Sequence, residues 1–324
     1  MSFWDCLNLL QHNSLLELPT EDAEPGFGRN GVYIYYPLHV IPKGKAMKTK
    51  LRVFAKMLFD IRSHRGRTEF RFRPRFDSGG LSGFDIKARE GDFCAPVKLR
   101  PKTSDLAVFT QVFVDNDYNL RRFGRYADIC RLFGEIDPGM TPLIVDCGAN
   151  IGLSSLYFAK NWPSAHVVAV EPDPGNFELL RRNVAARANI QPVQAAVGGE
   201  DGPVRIMNQG AQEWARRTER VSGETPDAIT GLSIQSLIAI APPPQVYQPF
   251  LIKIDIEGAE KDLFSRNREW ISKFPILIIE LHDWMLPGQG TSRAFLEAIA
   301  SLDRDFVYFG ENIFSIANRP SVRT

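Results

Sequence analysis

Short apolar runs alternate with helical patterns between residues 140 and 300. Runs of this length, bounded by turn residues, are typical of strands buried on both faces of a parallel sheet. They occur at residues 142–145, 166–170, 190–197, 250–254 and 275–281. Apolar residues at helical spacing follow the first two runs, at residues 152–162 and 172–184. This alternation predicts an α/β domain built on a parallel sheet.

The pattern ends in a predicted hairpin. Residues 306–309 and 313–317 are two β runs separated by a Gly-Glu-Asn turn. An amphipathic helix is predicted over residues 291–302, with four residues facing the core: Phe295, Leu296, Ile299 and Leu302. We therefore expect the sheet to end in an antiparallel pair of strands.

Charge is distributed unevenly, although the formal net charge of the chain is only +1. The segment 43–76 holds twelve Lys or Arg residues against Asp60 and Glu69, a net charge of +10. Such a segment favours an anionic partner, although a solvated face docked on the acidic remainder of the chain explains it equally well. Phenylalanines alternate with arginines over residues 70–76, which predicts a half-buried strand with its arginines on one exposed face.

Composition is compatible with two domains. A chain of 324 residues with 44% hydrophobic content can bury one full core and a second, smaller lobe. We expect a small N-terminal α+β lobe over residues 1–104 and the α/β domain over residues 105–324. No apolar run reaches the roughly 20 residues of a membrane span, and polar residues 11–14 interrupt any secretory signal. The four cysteines lack metal or disulfide spacing, and we expect a soluble, cytoplasmic protein.

The first strand of the α/β domain ends in an acidic residue and a glycine turn, VDCGANIG at residues 145–152. A dinucleotide turn has the pattern G-x-G-x-x-G, which lets backbone amides approach a pyrophosphate. Here three residues separate Gly148 from Gly152, and Asp146 would repel a pyrophosphate but attract an ammonium group. S-adenosylmethionine carries an ammonium and a sulfonium but no phosphate. An ordinary tight turn is the alternative interpretation.

We expect Asp146, Gly148, Asn150 and Gly152 to bind S-adenosylmethionine. Asn150 is also predicted to cap the following helix, and Gly152 to pack closely at the start of that helix.

The next two strands end in further candidates for this cofactor. Glu171 and Pro172 follow the run 166–170, where a carboxylate can accept hydrogen bonds from two ribose hydroxyls. The run 190–197 should end beside the adenine, where small residues would admit a flat ring. The expected adenine contacts are Gln194, Ala195 and Ala196.

The fourth and fifth strand ends carry the candidate catalytic residues. Ligands lie beyond the carboxyl ends of parallel strands, so Asp255 should lie near the reacting methyl group. Lys253 shares its face of the strand and would pair with this carboxylate. His282 is our predicted general base for a hydroxyl acceptor, because histidine titrates near neutral pH. We interpret Glu257 as a helix cap.

A divalent metal is the rival use of these groups. Asp255, His282 and Asp283 offer oxygen and nitrogen ligands for an ion that would polarise the acceptor hydroxyl. The sequence has no H-x-x-H or paired-carboxylate spacing, and we therefore expect no metal.

These motifs together resemble the FkbM-type family of S-adenosylmethionine-dependent methyltransferases. The resemblance extends over residues 105–317 and rests on the segments VDCGANIGLSS, AVEPDPGNFELLRRN, QAAVGG, LIKIDIEGAE and IIELHDW. It implies a class I methyltransferase fold: a Rossmann-like sheet of seven strands with the last pair antiparallel. The segment QVFVDNDY is similar to the family's segment over the cofactor, which adds Gln111 and Tyr118 to the expected cofactor contacts.

The leading functional hypothesis is O-methylation of a sugar, glycan or secondary-metabolite hydroxyl by in-line transfer from S-adenosylmethionine. The long segment 199–248 is the expected acceptor lid. A methyltransferase-fold binding protein without turnover is the alternative, and an NAD-dependent oxidoreductase is disfavoured by Asp146 and the terminal hairpin. The fourth strand ends in IDIEGAE rather than an Asp/Asn-Pro-Pro-aromatic motif, which disfavours a nucleic-acid substrate. The sequence is compatible with a homo-oligomer.

Overall fold

The computed structural model describes residues 70–77, 80–88, 96–101, 103–207, 218–221, 227–241, 246–285 and 287–318. The predicted basic segment lies outside these residues except for its last strand, and so does the middle of the predicted lid, residues 208–217.

The described residues contain fourteen strands. In chain order they are β1 (Phe70–Asp77), β2 (Gly80–Ala88), β3 (Val97–Leu99), β4 (Met140–Cys147), β5 (His166–Val170), β6 (Ile190–Val193), β7 (Ala196–Val197), β8 (Gly202–Ile206), β9 (Thr218–Arg220), β10 (Ala228–Leu232), β11 (Val246–Ile254), β12 (Ile276–Glu280), β13 (Arg304–Phe309) and β14 (Asn312–Ala317).

The same residues contain seven α-helices: α1 (Asp105–Phe109), α2 (Tyr126–Gly134), α3 (Leu153–Asn161), α4 (Pro174–Val184), α5 (Ile234–Ala239), α6 (Glu260–Leu263) and α7 (Arg293–Ile299). A π-helical turn, Thr110–Val114, continues α1, and 3-10 helices span Leu120–Arg122 and Arg268–Lys273. A membrane crossing would need a longer and more apolar helix than any in the described part of the chain.

A seven-stranded sheet forms the centre of the fold, in the order β13-β14-β12-β11-β4-β5-β6. The five strands β12, β11, β4, β5 and β6 are parallel to one another. Strand β14 is antiparallel to both β12 and β13. The predicted α/β class I methyltransferase fold, with its antiparallel final pair, is confirmed.

Consecutive residues of β4 belong to two different hydrophobic cores. Ile144 packs in the core that contains Phe158 of α3 and Leu180 of α4, whereas its neighbours Leu143 and Val145 pack in the other. Side chains alternate across a strand, so the two cores lie on opposite faces of the sheet. This is why the strand sequence is a continuous apolar run rather than an alternating one.

A separate three-stranded antiparallel sheet, β1-β2-β3, precedes the central domain. The Lys98 amide donates to Asn183 of α4 at 2.8 Å, so β3 is attached to the domain's helical layer. The predicted strand at residues 70–76 is confirmed as β1. Of its arginines, Arg73 is exposed, whereas Arg75 forms an ion pair with Asp85 of β2 at 3.0 Å.

Two details of the predicted core are wrong. The run 190–197 is not one strand: β6 ends at Val193, and the chain leaves the central sheet to form β7, which pairs with β10 in the four-stranded sheet β7-β10-β8-β9. In α7, Leu296 is 51% exposed, although Phe295 and Ile299 are buried as predicted. Leu296 directly follows Phe295 and so lies about 100° around the helix from it, outside the face that Phe295 and Ile299 share.

Candidate functional site

The carboxyl ends of β4, β5, β11 and β12 meet at one edge of the central sheet, because these strands are parallel neighbours. Register along this edge pairs Asp146 of β4 with Lys253 of β11. Glu171 directly follows β5, Asp255 directly follows β11, and His282 lies two residues beyond β12. Five predicted site residues therefore share this edge.

The backbone amides of the glycine turn are engaged within the protein. Gly148 and Ala149 donate to the carbonyl oxygen of Val170, Asn150 donates to Glu171, and Gly152 donates to Ala149, all at 2.8–3.0 Å. A pyrophosphate site needs such amides to point at the ligand. These four do not, so this turn differs physically from a dinucleotide cradle.

The turn contains hydrogen-bond acceptors that receive no hydrogen bond from the described part of the chain. The side-chain oxygens Asn150 Oδ1 and Asp146 Oδ1 are buried without a hydrogen-bond partner among the described residues. Asn150 also has a positive φ of 51°, a conformation that costs free energy in a residue with a side chain. The capping role predicted for Asn150 is wrong, because Gly152 is the N-cap of α3 and no side chain caps this end.

Asp146 is fully buried beneath the turn. Its Oδ2 accepts hydrogen bonds from Ser154 Oγ at 2.7 Å and Ser155 Oγ at 2.6 Å, both in the first turn of α3. Its Oδ1 lies 3.6 Å from Lys253 Nζ. The carboxylate therefore holds the strand end and the helix start together, a role that its sequence position did not predict.

Both glycines of the turn stand where a side chain would collide. A Cβ at Gly148 would strike the carbonyl oxygen of Asp255, and φ is +79°. A Cβ at Gly152 would lie 2.7 Å from Leu180 Cδ1 and 3.0 Å from Val184 Cγ1, with φ at +89°. Gly152 is therefore the close-packing position between α3 and α4 that the sequence predicted.

Glu171 is buried and accepts three hydrogen bonds from the protein. Its Oε2 accepts from the Asn150 amide at 2.9 Å, and its Oε1 accepts from the Asp173 amide at 3.0 Å and from Asn176 Nδ2 at 3.4 Å. Since a carboxylate offers about four acceptor positions, Oε2 has room for one strong donor. Burial raises the pKa of Glu171 to about 7, against the opposing effect of the hydrogen bonds from Asn150 and Asn176.

The three predicted adenine contacts follow the end of β6 and have different surroundings. Gln194 is exposed beyond β6, Ala195 is buried in a hydrophobic core, and Ala196 begins β7. Pro172 lies between Glu171 and Asp173, the N-cap of α4.

The two residues predicted from the upstream segment have different surroundings. Gln111 lies in the π-helical turn and hydrogen-bonds to Asp117. Tyr118 is buried, with its ring centroid 5.4 Å from that of Phe158 in α3. Burial raises the pKa of Tyr118 well above its usual value, and Lys253 and Asp255 act on it electrostatically. Tyr118 is thus within electrostatic range of the strand ends.

Lys253 connects the glycine turn to the end of β11. Its Nζ donates to the Gly148 carbonyl oxygen at 2.7 Å and lies 3.2 Å from Asp255 Oδ2. Burial by itself lowers the pKa of this lysine, but the charges of Asp255 and Asp146 outweigh burial and raise it. Lys253 is therefore a permanent cation that orders both strand ends, and the predicted pairing with Asp255 is confirmed.

His282 lies at the centre of four carboxylates, and we call these five residues the His282 cluster. Its Nδ1 is 2.7 Å from Glu260 Oε1. Its Nε2 is 3.5 Å from Asp255 Oδ1, 3.5 Å from Glu280 Oε1 and 3.6 Å from Glu257 Oε2. The imidazole is 1% exposed and Glu260 is fully buried, whereas Asp255 and Glu257 are each about a quarter exposed. A ligand at this edge can therefore reach Asp255 and Glu257.

The carboxylates control the protonation of His282. Burial lowers its pKa, but the hydrogen bond with Glu260 and the neighbouring carboxylate of Glu280 outweigh burial and raise the pKa to about 11. Burial and the charge of Asp255 raise the pKa of Glu257 to about 8. In this arrangement both nitrogens of the imidazole are protonated at neutral pH. His282 can therefore act as a base only if a ligand or cation first displaces the proton on Nε2.

Two neighbouring acids have roles that differ from the predicted ones. Asp283 accepts hydrogen bonds from Thr291 Oγ1 at 2.9 Å and from the Ser292 amide at 3.2 Å, so it lies outside the His282 cluster and is not a metal-ligand candidate. Glu257 does not cap a helix: the N-cap of α6 is Ala259, without a side-chain cap, and Glu257 faces His282.

Three residues that contact the site were not predicted from the sequence: Glu260, Ser154 and Ser155. The serines lie eight and nine residues after their acceptor Asp146, and Glu260 lies 22 residues before His282. The available signal was the charge of LIKIDIEGAE, in which Glu260 is the third acid after the strand.

Comparison with known proteins identifies the family. The model of the methyltransferase FkbM domain matches residues 146–308, which include nearly all of the glycine turn, the whole His282 cluster and β13 up to Tyr308. The chain belongs to the FkbM methyltransferase family. The protein is therefore a methyltransferase, and the predicted family is confirmed.

Three curated relatives of this chain are methyltransferases by name. Methyltransferase sdnD of Sordaria araneosa is 35% identical over 191 residues, which span 49% of this chain and 67% of the relative. Hexuronic acid methyltransferase AglP of Haloferax volcanii is 26% identical over 204 residues, 61% of this chain and 82% of the relative. The 2-O-methyltransferase NoeI of Sinorhizobium fredii is 24% identical over 185 residues, 50% and 72% respectively.

Two solved structures of methyltransferases are similar to this chain. One is described as a caffeoyl-CoA O-methyltransferase from Staphylococcus aureus. It has a TM-score of 0.36 and 13% identity, and the match covers 68% of this chain and 93% of that one. Precorrin-6y C5,15-methyltransferase from Geobacter metallireducens has a TM-score of 0.30 and 10% identity, with coverage of 61% and 91%.

Proposed function

We propose that this methyltransferase transfers a methyl group from S-adenosylmethionine to a hydroxyl oxygen of a sugar, glycan or secondary metabolite. The observation that carries the proposal is that two features share one edge of the central sheet. A glycine turn lined by hydrogen-bond acceptors lies next to a histidine surrounded by carboxylates. Lys253 touches both parts and sets their spacing.

The residues of the turn fit this cofactor better than a dinucleotide. Asn150 Oδ1, which has no hydrogen-bond partner among the described residues, and the remaining acceptor position of Glu171 suit a ligand rich in N–H and O–H donors. S-adenosylmethionine has an ammonium group and two ribose hydroxyls. We assign Asn150, which is partly exposed, and Glu171 to direct contact. Asp146 is fully buried and pairs with Lys253, so we assign it to electrostatic support from below. Gly148, Gly152 and Tyr118 shape the surrounding wall.

S-adenosylmethionine, when bound, supplies an electrophilic methyl group on a sulfonium that leaves as a neutral thioether. The protein has to hold the acceptor oxygen about 3 Å from that carbon, opposite the sulfur. A new carbon–oxygen bond then forms as the carbon–sulfur bond breaks, and the hydroxyl proton leaves. Asp255 and Glu257 are the carboxylates of the cluster that an incoming hydroxyl can reach, since each is about a quarter exposed. We assign Asp255 to receive the proton of the hydroxyl and Glu257, whose pKa is raised to about 8, to orient the hydroxyl.

The acceptor class is supported by two relatives. One is named for methylation of a hexuronic acid and another for 2-O-methylation. A hydroxyl-rich acceptor suits the mixture of carboxylates and imidazole in the His282 cluster, because hydroxyls donate to carboxylates.

Activity is the direct test of this function. The full chain is incubated with S-adenosylmethionine and a panel of uronic acids, neutral glycosides and polyhydroxylated metabolites, and products are detected by mass spectrometry with S-adenosylhomocysteine release as the second readout. We expect a product that gains one methyl group on oxygen. Methylation of a nitrogen or carbon in place of oxygen would contradict the proposal, and so would the absence of turnover across the panel in a chain that binds the cofactor.

A further inference from the structure

The His282 cluster concentrates acidic groups around one imidazole. Four carboxylates face it, from the ends of two strands and from the segment that leads into α6. Lys253, the cation at this site, contacts Asp255 through Oδ2, whereas Oδ1 of the same residue faces His282. The oxygens on the His282 side therefore have no lysine or arginine partner among the described residues.

The distances within the cluster leave space for an ion rather than forming hydrogen bonds. Nε2 of His282 lies 3.5 Å from the nearest oxygens of Asp255 and Glu280 and 3.6 Å from that of Glu257. These separations exceed the usual hydrogen-bond range. Adjacent ligands of a cation held at about 2.1–2.4 Å lie roughly 3.0–3.5 Å apart. One atom each from Asp255, Glu280 and His282 lies within 4.8 Å of the other two.

The far side of the imidazole supplies an independent argument. Nδ1 is 2.7 Å from Glu260 Oε1, and Glu260 is fully buried, so Nδ1 keeps its hydrogen when a cation displaces the one on Nε2. Metal-bound histidines generally donate their second ring N–H to a carboxylate or carbonyl, which fixes the ring and leaves the other nitrogen for the metal. The imidazole is buried, aimed into the cluster and held by this contact.

We propose that Asp255, Glu280 and His282 form a site for a divalent cation of the Mg²⁺ or Mn²⁺ class, at which the acceptor hydroxyl completes the coordination. Two carboxylates and one imidazole suit Mn²⁺ and Mg²⁺ better than a thiolate-preferring ion. Glu257 stands next to the ligands and binds waters of the ion or the acceptor. This replaces the ligand set considered from the sequence, because Glu280 takes the position assigned there to Asp283.

The role of the ion rests on the proposed O-methyltransferase function. A cation bound to the hydroxyl oxygen draws electron density from the O–H bond, so the proton passes more readily to a neighbouring carboxylate. Binding of the ion itself requires neither cofactor nor acceptor, so the two proposals can fail separately.

Mn²⁺ binding to the full chain tests the site. The chain is treated with EDTA, dialysed and titrated with Mn²⁺, and the free ion is followed by electron paramagnetic resonance. We expect one Mn²⁺ per chain, displaced by excess Mg²⁺. Pulsed electron paramagnetic resonance of the wild-type complex should show the coupling of one imidazole nitrogen.

Two ligand variants and one matched control complete the design. Asp255→Asn and Glu280→Gln should weaken Mn²⁺ binding by at least the roughly tenfold that changes outside a coordination shell cause. Asp283→Asn removes a charge next to His282 in sequence but outside the cluster, and should bind as the wild type does. Circular dichroism melting confirms that each variant is folded.

A stoichiometry below one, an absent nitrogen coupling or equal affinity in the three variants would overturn the cation site. The nitrogen coupling needs only the wild-type chain, so the test stands even if both ligand variants unfold. Mn²⁺ binding without methyl transfer would instead overturn the proposed function and leave the site.

Discussion

Replacing Glu171 with Gln should remove a pH-dependent part of cofactor binding. The pKa of Glu171 is raised to about 7, mainly by burial. A ribose hydroxyl donates most strongly to the ionised carboxylate, whose fraction rises from roughly 10% at pH 6 to roughly 90% at pH 8. The wild-type Kd for S-adenosylhomocysteine should therefore fall about tenfold over this range, which is about 1.4 kcal/mol. Calorimetry at the two pH values measures the change directly.

The ligand-free protein should respond to pH in the opposite sense. The folded-state pKa of about 7 lies above the ordinary value of 4.5, so the folded state binds the Glu171 proton more tightly than the unfolded state does. Its contribution to stability is fully present below about pH 4.5 and is lost as the pH rises through about 7, up to about 3 kcal/mol. Thermal unfolding at pH 5 and pH 8 should show this loss in the wild type and less of it in Glu171→Gln.

Glu178→Gln is the matched control, because Glu178 is an exposed acid of α4 paired with Arg182. It should keep the wild-type pH dependence of both binding and stability. The reasoning would be refuted by a Glu171→Gln variant whose Kd for S-adenosylhomocysteine still falls tenfold between pH 6 and pH 8.

Four further substitutions test the architecture of the edge. Gly152→Ala should lower the free energy of unfolding by about 1–3 kcal/mol, since its Cβ would meet Leu180 at a positive φ; an unchanged melting temperature would contradict the packing argument. Ser154→Ala and Ser155→Ala should each lower the free energy of unfolding by about 1–3 kcal/mol, because each removes a donor to buried Asp146. Denaturant titration measures this change, and an unchanged free energy of unfolding would contradict the role assigned to the serines. Lys253→Met should cost about 3–5 kcal/mol, because it leaves buried Asp146 without its cation; stability equal to the wild type would show that the lysine is not needed for folding.

The central sheet could be predicted from the sequence because its strands are buried on both faces. Continuous apolar runs such as 166–170 need no knowledge of their neighbours to be recognised. The break after Val193 could not be predicted in the same way. It arises because Ala196 and Val197 pair with Gly231 and Leu232 of β10, which lie 35 residues away in the chain. Pairing between distant segments is set by the whole fold and leaves no local pattern.

The candidate site was predictable in part for the same reason. Parallel strands deliver their carboxyl ends to one edge, so Asp146, Glu171, Asp255 and His282 could be assigned to it from strand order alone. The partners of these groups could not. Whether a carboxylate is buried under a turn, as Asp146 is, or exposed to a ligand depends on where α3 and α6 pack. The same packing explains why His282, chosen for its ordinary titration range, is held protonated by its neighbours.

Cofactor binding tests the central claim most directly. The full chain is titrated calorimetrically with S-adenosylhomocysteine and, separately, with NAD, and the titration is repeated with Asp146→Ala and Glu171→Ala. We predict one S-adenosylhomocysteine site per chain, no binding of NAD, and weaker binding in both variants: a loss of roughly 1.5–3 kcal/mol in binding free energy for Glu171→Ala, which removes a direct hydrogen bond, and a smaller loss for Asp146→Ala. Binding of NAD in place of S-adenosylhomocysteine, or unchanged affinity in both variants, would contradict the account.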